Sequence, residues 1–286
     1  MACRRRAAWW LRRFVRNFLA WLALAFALFP AIFVLGTSFN PTNSLSTTRI
    51  VPRNPTLDHY RALVYDHPYP TWLWNTAKVA GVGAAASVFV CALGAYAFSR
   101  FRFTGRRAGL LTILLVQMFP QSLAMVAIFL LLKALGSHIP WLGVNTHPGL
   151  ILVYLGGAVG FNTWFMKGYF DTIPRSLEES AMVDGAGPFQ AFVRIVLPLA
   201  RPILAVVFVI QFVTIYSEYI FASILLKGER MYTLSVGLQL FIGEHWRDRW
   251  GMFAAGAVIG AGLILLVFYA LQSQIVSGLT GGAVKE

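Results

Sequence analysis

The stretch PRSLEESAMVDGAGPFQAFVRIVLPLARP, residues 174–202, is the longest charged run between apolar segments that has the pattern of built structure. Pro174 suits the first turn of a helix, where its missing N–H costs nothing. Leu177 and Ala181 lie four apart, with Ile173 one step earlier, which predicts an apolar face. Glu178 and Glu179 fall in the first turns, where the helix dipole favours acids. Gly185 follows Asp184 and suits the left-handed position that ends a helix. Gly187-Pro188 restarts the chain, and Phe189, Phe192, Val193 and Val196 form a second helical stripe. Leu197-Pro198 breaks or kinks that helix just before a long apolar run. The pattern predicts a helix–turn–helix at a membrane surface; on shape alone, a solvated loop is the competing reading.

Composition supports the membrane. Of 286 residues, 58% are hydrophobic and 12% charged, with a mean hydropathy of +0.66, whereas soluble domains carry about 25% charged residues. The net charge of +13 could suggest nucleic acid. The arginines cluster beside apolar runs, however, as anionic headgroups and the positive-inside rule require. Cys3 and Cys91 form neither a disulfide framework nor a metal pattern.

Six apolar runs, at about 18–36, 79–98, 108–132, 148–166, 202–226 and 251–273, are each long enough to cross a hydrocarbon core of roughly 30 Å. The expected fold is an all-α integral membrane protein of six transmembrane helices with a cytoplasmic helix–turn–helix over 174–198. A basic amino terminus (1–17) precedes the spans and a tail (274–286) follows them. The basic start could belong to a signal peptide, but no small-residue cleavage site follows, so an uncleaved first span is expected. Residues 37–70 read as a long external loop in which Leu57, Tyr60, Leu63 and Val64 could form a short amphipathic helix. Trp72 and Trp74 precede the second span as interfacial anchors would. Gly81, Gly83, Gly94 and the pairs Gly156-x3-Gly160 and Gly256-x3-Gly260 would allow close helix packing. Residues 133–147 and 227–250 read as external loops, and His138 and His147 lack the companions a metal site needs.

Polar groups inside the spans are candidates for function. Pro120 should kink the third span, with Gln117, Gln121 and Ser122 around it. They read either as a helix–helix hydrogen-bond set or as the lining of a polar pathway. Glu218 is the one acid inside an apolar run, either a structural pair or a gate. Orientation follows from the basic residues: six lie in residues 1–17, four in 99–107, four in 167–201, plus Lys285, fifteen of the 24 Lys and Arg. That places both termini, and the helix pair, in the cytoplasm.

The letters of the opening stretch add a resemblance. Glu179-Ser180-Ala181, three residues, Gly185, nine residues, then Ile195-Val196-Leu197-Pro198 resembles the EAA loop of ABC importer permeases, E-A-A-x3-G-x9-I-x-L-P, with Ser180 in place of an alanine. GVNTHPGLILVYLGG (143–157), KGYFDTIPRSLEESAMVDGAGPFQAFVRIVLPL (167–199), YTLSVGLQ (232–239) and GLTGGAVKE (278–286) are similar to the maltose/maltodextrin type of these permeases. The likeness runs from about residue 70 to the end.

The resemblance implies a bacterial inner-membrane, multi-pass permease subunit that shares a translocation pathway with a second, homologous permease. It implies coupling to a separate ATPase dimer and delivery of oligosaccharide, most plainly maltose or maltodextrins, by an extracytoplasmic binding protein. Leu177, Glu179, Ala181, Met182, Asp184, Gly185, Ile195, Leu197 and Pro198 would then be the ATPase-coupling residues. Gly278, Leu279, Thr280 and Lys285 would form an ATPase-contacting tail, for which disorder is the alternative. Gln117, Gln121 and Glu218 would line a pathway or gate. The loop 240–250 would reach the binding protein through Phe241, His245 and Trp246. The chain lacks any Gly-Lys dipeptide and so any P-loop; ATP and Mg are expected in the partner, with no catalytic residues, metal or cofactor here and no nucleic acid. Competing readings are a permease for another sugar or glycerol phosphate and an ion-coupled secondary transporter, which needs internal repeats and intramembrane ionisable groups. A membrane enzyme would need more than Cys91 and Glu218.

Overall fold

A computed structural model describes residues 2–42, 52–242 and 249–281, with side chains from 13 to 276 within those ranges. The described residues are mostly helical: α1 (Ala2–Ser38), α2 (Asp58–Tyr65), α3 (Tyr69–Arg100), α4 (Arg106–Gln117), α5 (Met125–His138), α6 (His147–Phe170), α7 (Ser176–Val183), α8 (Pro188–Ala191), α9 (Leu197–Leu199), α10 (Arg201–Ser217), α11 (Ile220–Leu225), α12 (Leu234–Gln239) and α13 (Trp250–Gly281). Five segments are long and apolar enough to cross a bilayer: 13–38, 69–100, 121–138, 147–170 and 250–276. The bent pair ending in α10 makes a sixth if counted as one span.

The chain divides into two compact units. The first holds residues up to His67 and Leu238–Gly260. In it, α1 is one continuous helix, so the basic residues preceding the first span continue that span's helix rather than forming a separate tail. Its surface is exposed from Arg13 to Ile32, as a helix meant for lipid or a partner should be. The end of α1 is pinned to α2: Ser38 Oγ and the Tyr60 hydroxyl lie 2.7 Å apart, and the His59 ring bonds the Asn40 carbonyl at 2.8 Å. The buried face of α2 is therefore His59 and Leu63. Leu57 and Val64, expected on that face, are exposed.

The second unit holds Pro68–Gly237 and the chain from Ala261 onward. Here α3 packs along α6 and α10. Apolar burial cannot drive helices together in lipid, so close approach of small residues and hydrogen bonds must do so. Gly83 and Gly94 serve that end, a Cβ at each meeting Ile215 at 2.9 Å and Thr163 at 3.2 Å, whereas Gly81 and Gly156 face open space. On α6 the close-contact pair is thus Gly157 and Gly160, three apart, not the expected Gly156 and Gly160.

Trp72 is no interfacial anchor. It is fully buried, and its indole N–H donates to the Glu229 carbonyl at 2.7 Å. Asn75 donates to the carbonyls of Arg230 and Tyr232, and Thr76 Oγ1 accepts from the Leu234 N–H at 2.6 Å. The expected loop after residue 226 is consequently structured up to Gly237: it carries a 3-10 turn, Glu229–Met231, and the start of α12, both sewn to α3. Trp74 is exposed.

Two of the expected spans are interrupted. The third is broken, not kinked. α4 stops at Gln117, Pro120 is extended (ψ 114°), and a 3-10 turn (Gln121–Ala124) leads into α5. Pro120 has no N–H to continue the ladder and disfavours helical geometry before it. The apolar segment long enough to span is 121–138 rather than 108–132, and α5 reaches into the expected loop 133–147. The fifth span ends at Ser217; Glu218 is extended (ψ 126°) before α11.

Candidate functional site

The opening stretch folds as its pattern requires at the turn. α7 carries Glu178 and Glu179 in its first turn. Gly185 has φ +89°. The Ala186 N–H donates to the Ala181 carbonyl at 2.9 Å and the Gly185 N–H to the Met182 carbonyl at 3.1 Å, the paired bonds that close a helix through a left-handed residue. The Gly187 N–H donates to Gln190 Oε1 at 3.3 Å, capping α8. Pro174, expected inside the first turn, instead precedes it by two residues.

After α8 the helix widens into a π turn, Phe192–Val196. Pro198 withholds the N–H that would bond the Arg194 carbonyl, and the chain bends by 78° between Pro188–Leu199 and α10. Of the second stripe, Phe192 and Val196 are buried while Phe189 and Val193 are exposed.

The faces of α7 are not those the spacing suggested. Ile173 is buried, but Leu177 and Met182 are 44% and 42% exposed, and Val183 is 88% exposed. Glu179, Asp184 and Pro198 are also exposed, and Ala181, Ile195 and Leu197 half-buried. The buried residue is an acid. Glu178 is 4% exposed and pairs with Arg100 Nε at 2.5 Å. The Tyr96 hydroxyl donates to its other oxygen at 2.9 Å and approaches the Pro188 carbonyl at 3.2 Å. Arg100 also donates to the Ile173 carbonyl at 3.0 Å, and Arg175 to the Ser99 carbonyl at 2.8 Å. Nothing in the sequence pairs Arg100 with Glu178. The available signal was an arginine closing a span, where the helix dipole favours a cation, opposite a short acidic helix.

Beside this joint, Ser99 Oγ donates to Asp171 at 2.6 Å and Lys167 to its other oxygen at 2.5 Å. Burial pushes the Asp171 carboxyl up, but these two bonds and the charges of Lys167 and Arg106 outweigh it and hold the group below its ordinary value.

Gln117 and Gln121 flank the break between α4 and α5. The Gln117 amide donates to the Gly157 carbonyl at 2.5 Å and accepts from the Phe161 N–H at 2.8 Å, so it bridges two positions one turn apart in the middle of the 24-residue α6. The Gly157 and Gly160 positions admit it because a Cβ at Gly160 would lie 2.5 Å from Gln117 Cδ, and one at Gly157 would overlap the Gln121 amide. Both glutamines line an open cavity of about 640 Å³ with Pro120, Gly156 and Gly157, and residues 118–123 are exposed around it.

Glu218 lies elsewhere. Its carboxylate accepts from the Tyr154 hydroxyl at 2.6 Å and from the N–H groups of Phe221 and Ala222 at 2.8 and 3.1 Å. It thereby caps α11, and its own carbonyl accepts from Ser235 at 2.6 Å.

Phe241 is fully buried, edge-on to the His67 ring at 5.1 Å between centroids, so it offers no surface to a binding protein in this conformation. His245 and Trp246 lie outside the described residues, as does Lys285. Gly278, Leu279 and Thr280 continue α13 as helix.

Known proteins share this architecture. Residues 88–279 match the family described as binding-protein-dependent transport system inner membrane component. The maltose/maltodextrin transport system permease protein MalG of Vibrio parahaemolyticus is 44% identical over 93% of each chain, and that of Escherichia coli K12 is 41% identical over 96% of each. A chain from the crystal structure of a bacterial ABC transporter involved in import of the acidic polysaccharide alginate superposes with a TM-score of 0.75 at 25% identity, covering 91% of this chain and 95% of the other. With a family model matching two thirds of the chain and relatives above 40% identical along nearly its whole length, this multi-pass membrane protein belongs to the binding-protein-dependent transport system inner membrane component family of ABC importer permeases.

Proposed function

We propose that this chain is the permease subunit of an importer for maltose or maltodextrins, working with a second, related permease, an ATPase dimer and an extracytoplasmic sugar-binding protein. The observation that carries the reading is identity above 40% across nearly the whole of both chains to permeases of that name. The alginate importer shares the fold at lower identity, which keeps a different oligosaccharide as the second reading. Hydrolysis of Mg-ATP belongs to the partner, and this chain supplies motion and a path.

In this mechanism both termini and α7–α8 face the cytoplasm. The exposed apolar side chains Leu177, Met182, Val183 and Phe189 pack into a cleft of the ATPase, with Glu179 and Asp184 as polar anchors at the rim. Closure of the ATPase dimer on ATP displaces the helix pair. Gly185 holds the turn, and Pro198 hands the chain on to α10. The end of α13, with Gly278, Leu279 and Thr280, reaches toward the same subunits.

The sugar path runs past the open break at Gln117 and Gln121. Irregular backbone at membrane depth survives only where protein buries it or water lines it. The break at Glu218 is internally satisfied by Tyr154, Phe221, Ala222 and Ser235. The break at Gln121 is open, so this face turns toward the partner permease and the hydrated path between them, where amides can exchange hydrogen bonds with sugar hydroxyls.

Uptake of radiolabelled maltose and maltotriose into proteoliposomes holding the complete complex tests this. ATP- and binding-protein-dependent accumulation is expected. Uptake of an unrelated solute, with no glucan accumulated, would move the chain to another substrate class.

A further inference from the structure

The motif acid, Glu179, is exposed, while its neighbour Glu178 is buried in an ion pair with the last residue of α3. That pair sits in a joint with more links than a docking helix needs. Arg100 reaches both Glu178 and the Ile173 carbonyl. Tyr96, one turn earlier, reaches Glu178 and the Pro188 carbonyl, so one hydroxyl touches both arms of the helix pair. Its ring lies 4.7 Å from that of Phe192. Arg175 returns to the Ser99 carbonyl. Around these polar links, Ala92, Ala95, Met166, Phe170, Phe192 and Val196 form one closed apolar cluster.

The covalent route out of the helix pair is softer. It passes through the π turn Phe192–Val196 and a 78° bend before reaching α10. π turns and breaks are where helices yield. A buried ion pair resists rearrangement, because separating it strands a charge.

We infer that Glu178 and Arg100 are positioning residues of the transport cycle: they clamp α7 to the end of α3 as one rigid body, so that displacement of the helix pair is delivered to α3 through this ion pair rather than mainly along the chain into α10. The inference rests on the ATPase-facing reading of α7–α8. Breaking the clamp leaves the exposed docking face intact but lets α7 move without α3.

The test uses the complete complex, purified through the permease and reconstituted with binding protein. E178Q and the double variant R100Q/E178Q are compared with the parent for bound ATPase, ATP hydrolysis and sugar moved per ATP. The double variant removes both charges and so avoids a stranded arginine. Both are expected to retain the ATPase while sugar moved per ATP falls about tenfold, the usual size of a coupling between sites. Parental transport per ATP in the double variant overturns the clamp. Loss of the ATPase from both clamp variants would point to folding, and a second measurement then decides. Spin labels at exposed Phe101 and Val183, on a parent otherwise unchanged except C3S, report the α3–α7 distance. It is expected to stay constant between the nucleotide-free and ATP-bound complexes, and a change of about one helical turn, roughly 5 Å, refutes the rigid body. If the parent itself carries no ATPase, the functional reading fails and not the clamp alone.

Discussion

The Tyr154 hydroxyl donates to Glu218 Oε2 at 2.6 Å, tying the middle of one span to the acid that interrupts another. The same carboxylate caps α11 through two backbone N–H groups. An intramembrane acid so fully engaged is a structural pin, satisfying backbone that lipid would leave bare. E218Q should lower stability by about 1–2 kcal/mol, the size of a lost cap, and Y154F by about 1 kcal/mol. Thermal unfolding of the detergent-solubilised complex measures both. Unchanged melting with transport abolished would instead make Glu218 a gate.

Any other residue at position 185 would be strained only by the backbone φ of +89°, which glycine adopts freely, since a Cβ there meets nothing within 4 Å. G185A should cost about 1–2 kcal/mol and G185N less, because asparagine tolerates that conformation. G185D adds a charge at the docking face and should insert normally yet uncouple ATP hydrolysis from transport. Normal uptake by G185D would remove the turn from the coupling mechanism.

Gly160 and Gly156 separate packing from path. G160A must displace the Gln117 amide that bridges Gly157 and Phe161, whereas G156A meets open space. A loss of about 1–3 kcal/mol, as for overpacking, is expected for G160A and little change for G156A, read from melting temperature. Equal effects would contradict the bridge.

Asp171 gives a pH signature. Its carboxyl is held below the ordinary carboxylate value by its bonds to Lys167 and Ser99 and by the nearby charges, which outweigh burial, so its contribution is complete above the ordinary carboxylate range and is lost as pH falls through the depressed value. D171N should therefore melt below the parent at pH 7, with the gap narrowing as the pH is lowered through the depressed value. The group is partly exposed, so salt should narrow it too.

The helix pair and the membrane class were legible in sequence because Gly185, Pro188 and the glutamates sit at positions set by local backbone chemistry. The span interruptions were legible only in part, because an apolar run reads much the same across a break: Phe119 is as hydrophobic as its helical neighbours. Trp72 looked like an anchor since its partner, the Glu229 carbonyl, lies 157 residues away. Glu178 was hidden for the same reason. An acid beside an acid on a short helix reads as solvated until Arg100, 78 residues earlier, is brought against it. The break at Pro120 was half visible: proline and two glutamines marked the place, but only the structure shows that Gln117 bridges the Gly157 carbonyl and the Phe161 N–H and that both glutamines line an open cavity.

The most direct measurement is purification of the tagged chain from its native membranes, with mass spectrometry of what remains bound and cross-linking from a cysteine placed at exposed Met182. A P-loop ATPase and a second permease bearing the same motif should co-purify, and the cross-link should run to the ATPase. A homo-oligomer free of any ATPase would contradict the importer mechanism.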